Sequence, residues 1–292
     1  MSEDRTRFIG SSDIAAILGL NPYKTLLAVW AEKTGELPPK DLSDNEAVEW
    51  GNRLERVVGD KYADKNGVKL IPNKRRFYHP AYPFLSCELD NEVEGSDELV
   101  ECKTANARMS KAWEDEEGAE DAPVHYVCQV MFALGITGRK VGHLAVLIGG
   151  QKYIERTVEF DQRVFDQMVA KAVEFWNTFV VPKVMPMQIS CKDSDTLQSL
   201  FPDVIFGEPV TMDDDANKIV ESLESLAEDL ASLKGTIEQQ KNTLKAMLQE
   251  NECGNTDRYK ITWKKQHRKE YTVAAADFRV LRYAKRKGAK NG

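Results

Sequence analysis

The chain has 292 residues, 42% of them hydrophobic, and a formal net charge of −7 at pH 7. This length allows one domain with a substantial core plus a smaller appendage. No apolar stretch is long enough to span a membrane, and the charged start predicts no signal peptide, so a cytoplasmic protein is expected. The five cysteines are scattered without a Cys-x-x-Cys pair, which argues against zinc and iron–sulfur sites and favours a reducing compartment.

The first predicted element is a short helix near residues 12–18. Ser11, Ser12 and Asp13 are typical N-cap residues, an apolar run follows them, and Gly19 closes the helix. The free N–H groups of a helix N-terminus suit a phosphate. Ser12 could therefore cap the helix, bind a phosphate, or do both.

Two further helices are predicted at residues 25–34 and 44–65. The second of these opens with Ser43 to Glu46, which reads as a capping box. Its apolar residues recur in steps of three and four, as expected for a helix with one buried face. They are Ala47, Trp50, Leu54, Val57, Val58 and Tyr62. Glu55 lies on the flank of this stripe and could face a cleft, although most glutamates on helices are solvated.

Strands are predicted at residues 68–71, 74–79, 84–90 and 98–104. Asp90 ends the third, and Glu101 and Lys103 lie in the fourth. Because side chains alternate along a strand, Glu101 and Lys103 share one face and Cys102 points away. If the two strands are neighbours, these carboxylates could hold a hard cation, which prefers oxygen ligands, and the ammonium could orient a water. The alternative is a surface turn with a solvated Glu–Lys pair.

A helix is predicted at residues 123–137, in which Gln129 is a polar member of an apolar pattern. Strands at 141–148 and 152–160 follow, and then a helix at 162–181. This order predicts an α/β (α+β) fold, in which helices flank a central mixed β-sheet and the cation site lies at the edge of the sheet.

Three segments are expected: a core at residues 1–181, a linker at 182–212, and a C-terminal helical segment at 213–292. Apolar residues recur every three or four positions along the predicted helix, as in a heptad seam. They are Ile219, Leu223, Leu226, Leu230, Leu233, Ile237, Leu244 and Met247, with a polar break at Gln240. The seam could pack on its own chain or drive self-association. A strand at 258–263 is expected to pair with residues 269–273.

The charge is unevenly distributed along the chain. Residues 258–292 contain twelve Lys or Arg and two Asp or Glu, a net +10, which leaves −17 for the remainder. Only a local basic patch has to meet phosphate groups, so the acidic total does not exclude a protein that binds nucleic acid. The basic tail could contact DNA, bind a partner, or keep the protein soluble.

Five motifs, in this order, resemble those of the YqaJ-like viral recombinases, phage nucleases that are similar to lambda exonuclease and belong to the PD-(D/E)xK superfamily. They are Arg5–Tyr23, Trp30–Gly35, Glu49–Glu55, the Asp90/Glu101/Lys103 set and His125–Val130. The resemblance covers roughly residues 5–180. The chain departs from the family pattern at Leu89, where a proline often stands, and at Glu88, which adds a carboxylate.

The resemblance implies a metal site in the predicted sheet. Asp90 and Glu101 would be metal ligands, and the backbone carbonyl of Cys102 would supply a third protein oxygen. Lys103 would orient or activate the attacking water, and Glu55 would reach the metal site directly or through water. The expected cofactor is Mg²⁺, with Mn²⁺ as a plausible substitute.

The resemblance also assigns residues that would contact the substrate. Gln129 would position a ligand or the DNA. Arg5 and Ser12 match the residues that grip the 5′-phosphate end in lambda exonuclease, and Arg7 is an alternative to Arg5.

The implied activity is that of an Mg²⁺-dependent 5′→3′ exonuclease on the ends of linear double-stranded DNA. Its 3′ single-stranded tails would serve a single-strand annealing protein in phage-type recombination, in the cytoplasm of a bacterial host. The resemblance suggests a homo-oligomer, a ring of three subunits. Two alternatives are open: a RecB-like or structure-specific endonuclease, and a non-catalytic DNA-binding assembly protein that uses the long helix and the basic tail.

Overall fold

A computed structural model describes residues 5–39, 41–73, 75–113, 121–204, 207 and 209–267. The chain forms two compact units, one ending at Pro202 and the other beginning at Asp203. The predicted linker, residues 182–212, spans this division. The described part of the chain contains no helix whose length and hydropathy would let it cross a membrane.

The first unit contains six helices among its described residues. They are α1 (Ser11–Ile17), α2 (Leu26–Thr34), α3 (Glu46–Asn66), α4 (Val124–Thr137), α5 (Gln162–Phe175) and α6 (Ser194–Leu200). Short 3₁₀ turns cover Arg5–Arg7 and Ala107–Trp113, and a π-turn at Trp176–Val180 extends α5. The N-cap of α3 is Asn45, whose side chain accepts hydrogen bonds from the N–H groups of Ala47 and Val48, so the predicted capping box at Ser43 is wrong.

The strands of the first unit form two sheets. Their bounds are β1 (Ile9–Gly10), β2 (Leu70–Pro72), β3 (Arg76–Tyr78), β4 (Leu85–Glu88), β5 (Asn91–Val93), β6 (Glu98–Ala105), β7 (Val141–Ile148) and β8 (Lys152–Glu159). The five-stranded sheet has the order β2-β5-β6-β7-β8, with only β6 and β7 parallel. The smaller sheet has the order β1-β4-β3. The predicted mixed sheet flanked by helices is therefore confirmed.

One prediction about the strands was wrong in a way that matters for the site. The neighbours of β6 are β5 and β7, whereas β4 belongs to the smaller sheet. Asn91–Val93, which lies between two of the predicted strands, is the strand that pairs with β6. Asp90 lies between β4 and β5, so it still reaches the side of β6.

The connection between β6 and β7 fixes the position of α4. Parallel neighbouring strands need a crossover connection, and α4 supplies it. Gly142 on β7 lets this helix lie close to the sheet, because a Cβ there would come within 2.5 Å of Val130 Cγ1 on α4.

The two faces of the larger sheet have different cores. Leu99 on β6 packs in the main core with residues of α1, α2, α4 and α5. Val100 and Cys102 point to the other face and pack with Val58 and Tyr62 of α3. This alternation along β6 is the one the sequence predicted. Trp50 and Val57 are each 54% exposed, however, so α3 buries only part of its predicted stripe.

The second unit contains a 35-residue helix, α7 (Asp214–Leu248), and a small hairpin of β9 (Cys253–Asn255) and β10 (Lys260–Thr262). The predicted strand at 258–263 is thus present in part, as β10, and it pairs with β9. Residues 269–273 and most of the basic tail lie outside the described residues.

Candidate active site

Asp90 is held beside β6 by a backbone hydrogen bond. The register of β5 and β6 places Asn91 opposite Val100, so Asp90 falls next to Glu101. The N–H of Cys102 donates to Asp90 Oδ2 at 2.9 Å. The structure therefore brings Asp90 to the strand that carries Glu101 and Lys103, as the sequence predicted.

Glu101 is the centre of a hydrogen-bonded cluster and is only 4% exposed. Lys103 Nζ lies 2.5 Å from Glu101 Oε1. Gln129 Nε2, from α4, donates to the same oxygen. The carboxylate is thus oriented from its own strand and from the crossover helix.

The electrostatics of the site show an excess of buried negative charge. Burial and the adjacent Glu101 carboxylate raise the pKa of Asp90 to about 7. Burial alone would lower the pKa of Lys103, but the Glu101 and Asp90 carboxylates outweigh it and raise that pKa. Lys103 is therefore held as an ammonium.

Glu55 approaches the site from the α3 side of the sheet. Its charge contributes to raising the pKa values of both Asp90 and the Cys102 thiol. No group of three or more His, Cys, Asp or Glu in the described ranges is arranged to hold a metal ion. Glu55 therefore lies near the two carboxylates without completing a set of three acidic ligands with them.

The donor set suits a hard cation. Asp90 and Glu101 offer carboxylate oxygens, and Mg²⁺ is commonly bound through one or two carboxylates while it keeps several waters. Burial and the repulsion from Glu101 together raise the pKa of Asp90, and a bound cation would offset both effects. The Cys102 thiol is not part of this set, because it points to the opposite core and its pKa is raised by burial. The role of the Cys102 carbonyl stays a prediction.

The aromatic ring of Tyr126, which was not among the predicted site residues, lies beside Lys103. The Lys103 ammonium lies 5.6 Å from the centre of the Tyr126 ring, which stacks on Trp113. His125 lies edge-on to Tyr23 at 5.8 Å. Tyr126 precedes Gln129 by three residues and so shares its helix face, a signal that could have identified it.

Arg5 and Ser12 both belong to the N-terminal part of the first unit. Both residues are exposed, Arg5 in the first 3₁₀ turn and Ser12 in the first turn of α1. The strand between them, β1, pairs with β4, which leads into Asp90. Their predicted contact with a 5′-phosphate is not tested by this geometry.

A buried charge cluster fixes this N-terminal part. Asp13 accepts from the N–H of Gly10 at 3.2 Å, so the cap of α1 is supplied by Asp13. Lys33 Nζ lies 2.7 Å from Asp13 Oδ2 and donates to the Arg5 carbonyl at 3.0 Å. Lys24 Nζ lies 2.9 Å from Asp13 Oδ1. One carboxylate thus links α1, α2 and the turn that carries Arg5.

Comparison with known proteins assigns the family. The profile of the YqaJ-like viral recombinase domain matches residues 2–140. The Uncharacterized protein YqaJ of Bacillus subtilis (strain 168) is 30% identical over 264 residues, which cover 89% of this chain and 81% of that protein. The chain belongs to the YqaJ-like family.

Two solved structures resemble this YqaJ-like protein at low sequence identity. An alkaline exonuclease (LHK-Exo) from Laribacter hongkongensis is 14% identical, with a TM-score of 0.49, over 62% of this chain and 91% of that one. A phage related exonuclease from Haemophilus somnus 129PT is 14% identical, with a TM-score of 0.48, over 60% of this chain and 96% of that one.

Proposed function

We propose that this YqaJ-like protein is a metal-dependent deoxyribonuclease that degrades linear double-stranded DNA from its 5′ ends. The convergence of Asp90 with Glu101 and Lys103 beside the central strand β6 supports this proposal most directly. Membership of a viral recombinase family is consistent with it. The 3′ tails would be passed to a single-strand annealing protein in the cytoplasm of a phage-infected host.

The reaction is hydrolysis of a phosphodiester. The oxygen of a water forms a bond to phosphorus and the water releases a proton to solvent, while the bond from phosphorus to one flanking sugar oxygen breaks and that oxygen takes up a proton from solvent. When bound, a divalent cation such as Mg²⁺ supplies charge neutralisation at the phosphate and makes a nearby water more acidic.

The protein groups divide the remaining work. Asp90 and Glu101 would hold the cation, and Gln129 keeps the Glu101 carboxylate in place. Lys103, as an ammonium, can donate hydrogen bonds but cannot accept a proton. It would therefore orient the water or stabilise negative charge on the phosphate. Glu55 would add a further negative charge near the cation and would contact it through a water.

The experiment that tests the activity uses linear duplexes labelled at the 5′ or the 3′ end. With Mg²⁺, the 5′ label should be released early and the 3′ label should persist on single strands, whereas EDTA should stop both. Closed circles should survive. Cleavage of circles would favour the RecB-like or structure-specific endonuclease, and DNA retention without degradation would favour the non-catalytic assembly protein.

Recognition of the 5′ end can be tested by removing the 5′-phosphate. If Arg5 and Ser12 grip that phosphate, its removal should slow digestion by about 10-fold or more, because a charge-assisted hydrogen bond contributes about 1.5–3 kcal/mol. Arg5→Ala with Ser12→Ala should lose the same factor and become insensitive to the phosphate. Arg163→Ala, an exposed arginine at the start of α5, is the control. If wild-type enzyme digests both ends equally, these two residues have no such role.

Cation binding can be measured without activity. Mg²⁺ at a hundredfold excess over its Kd should stabilise the protein by about 2.7 kcal/mol and raise the Tm. The Asp90→Asn, Glu101→Gln double variant should keep its Tm unchanged on adding Mg²⁺. Asp97→Asn, on the exposed turn of the same hairpin, should respond like wild type. An equal rise in the double variant would place the cation elsewhere.

The ring of three subunits remains a proposal drawn from the resemblance. Sedimentation of the full chain with a DNA end would show whether three copies assemble.

A further inference from the structure

Tyr23 is an exposed aromatic residue that is linked to the candidate active site by ring contacts. The residue is 71% exposed, and its ring centre lies 5.8 Å from that of His125, with the ring planes at 83°. The His125 ring lies 4.0 Å from the Tyr126 ring, which is 5.6 Å from the Lys103 ammonium. The rings of Tyr23, His125 and Tyr126 thus form an aromatic row that leads from Lys103 to the surface.

The backbone that carries Tyr23 is fixed on both sides. Asn21 Oδ1 accepts hydrogen bonds from the N–H of Tyr23 at 2.8 Å and from that of Lys24 at 3.1 Å, a side-chain turn typical of asparagine. Lys192 Nζ donates to the carbonyl of Pro22 at 2.9 Å. A tyrosine also loses little conformational entropy on binding, because its side chain has few rotatable torsions. The exposed ring is therefore presented to a ligand from a fixed position.

The inner end of the aromatic row rests on the core. The Tyr126 ring stacks on Trp113, which is 1% exposed, with 5.6 Å between the ring centres and 17° between the planes. His125 Nε2 is buried and has no hydrogen-bond partner among the described residues. Buried polar atoms are almost always paired, and an unpaired one lowers the stability of the fold. Stability alone therefore does not account for the aromatic row.

Positive charge lies beside the aromatic row at both ends. Lys192 contacts the carbonyl of the residue before Tyr23, and Lys103 lies at the inner end. Proteins that bind single-stranded nucleic acid combine the same two groups, because an aromatic ring stacks on a base while a positive charge meets the backbone phosphates. The row thus has the chemistry of a nucleobase site.

We propose that Tyr23 stacks on a nucleobase of the DNA substrate, close to the phosphodiester that is cleaved. This inference rests on the proposed nuclease function and adds a contact that holds the strand at the site. Every nucleobase has a π-face, so the contact does not select a sequence. A base inside a duplex has both faces covered by its neighbours, so the ring selects a terminal or unpaired base. The contact therefore favours DNA ends over closed circles.

The first test measures DNA binding in EDTA, where no cleavage is expected, by fluorescence anisotropy of a duplex at fixed salt. Tyr23→Ala should weaken binding by about 5–150-fold, equivalent to about 1–3 kcal/mol for one stacked base. Tyr23→Phe keeps the ring and should bind like wild type, whereas Tyr23→Leu should bind as weakly as Tyr23→Ala.

The matched control is Tyr82→Ala, because Tyr82 is also exposed and its ring lies 5.2 Å from that of a histidine, His79. This variant should bind DNA like wild type. A wild type that does not bind DNA would overturn the proposal. Tyr23→Ala that binds as tightly as wild type would also overturn it, and would point to a protein partner for Tyr23.

The second test identifies the base by a double-mutant cycle. Its duplexes lack the base at the first, second or third nucleotide from the 5′ end. At one of these positions, loss of the base should weaken binding by wild type and by Tyr82→Ala but should not weaken binding by Tyr23→Ala any further. Losses that multiply at every position would overturn the proposal. A wild type that shows this coupling but does not cleave DNA with Mg²⁺ would instead refute the proposed nuclease function.

Discussion

Replacing Asp90 by Asn should lower the rate of DNA cleavage by about 10³-fold, equivalent to about 4 kcal/mol of transition-state stabilisation. Asp90 lies against the N–H of Cys102 beside Glu101, so asparagine keeps the shape of the site but removes one charge from the proposed cation site. Single-turnover rates on end-labelled duplex, at saturating enzyme, would measure the loss.

Two controls separate chemistry from folding. Asp97 lies on the exposed turn between β5 and β6, and Asp97→Asn should cleave at the wild-type rate.

Lys103→Ala should lower the cleavage rate by about 10²–10³-fold, the range for removing one preorganised donor. Its control is Lys69→Ala, which replaces an exposed lysine and should leave the cleavage rate unchanged. If Asp90→Asn or Lys103→Ala retains full activity with an unchanged Tm, the assigned site is wrong.

Replacing Asp13 by Asn should destabilise the first unit by about 3–5 kcal/mol, the usual loss when one partner of a buried ion pair is removed. The change leaves the Lys33 ammonium, which is 2% exposed, without its carboxylate. Urea unfolding followed by tryptophan fluorescence would measure it, because four of the five tryptophans precede residue 203. Asp195→Asn, an exposed acid in the first turn of α6, should change the stability by less than about 0.5 kcal/mol.

The effect of Asp13 should depend on pH in a defined direction. Although burial would raise the pKa of Asp13, Lys24 and Lys33 hold it well below its usual 3.8. A lowered carboxyl pKa stabilises the fold above the unfolded value and loses that contribution as the pH falls toward the folded value. The difference in the free energy of unfolding between wild type and Asp13→Asn should therefore reach its full value at neutral pH and decrease below about pH 4. A difference that is constant down to pH 2 would mean that the charge of Asp13 is not what stabilises the unit.

The two lysines of this cluster do not share Asp13 equally. Burial alone would lower the pKa of Lys24, but Asp13 and Glu32 together raise it. Burial lowers the pKa of Lys33, which competes with Lys24 for the same carboxylate. Lys33 is therefore the less compensated charge, and the loss of Asp13 should affect it most.

The order of side chains along β6 was predictable from the sequence because strand alternation is a local rule. Glu101 and Lys103 do lie on the face opposite Val100 and Cys102, as the pattern required. The immediate neighbour of β6 was not predictable, since pairing depends on tertiary contacts. A three-residue strand, Asn91–Val93, carries too little pattern to be distinguished from a turn.

The residues that surround the site were harder to predict from the sequence than its acidic residues. The resemblance pointed to Gln129, but its bond to Glu101 depends on the depth at which α4 packs on the sheet. The misplacement of Trp50 has a similar cause. A helical stripe shows which residues share a face but not how much of that face the sheet covers, and residues 46–50 at the start of α3 are all exposed.

The absence of a side chain at position 142 has a consequence for how this protein can change. Because a methyl group there would come within 2.5 Å of Val130 Cγ1, any substitution must displace the Val130 side chain or the crossover helix that carries it. The next residue on that helix is Gln129, whose amide grips the acid at the centre of the site. A residue without a side chain thus influences how α4 holds Gln129 against Glu101, and we expect substitutions of Gly142 to lower the activity of the proposed site more than the stability of the fold.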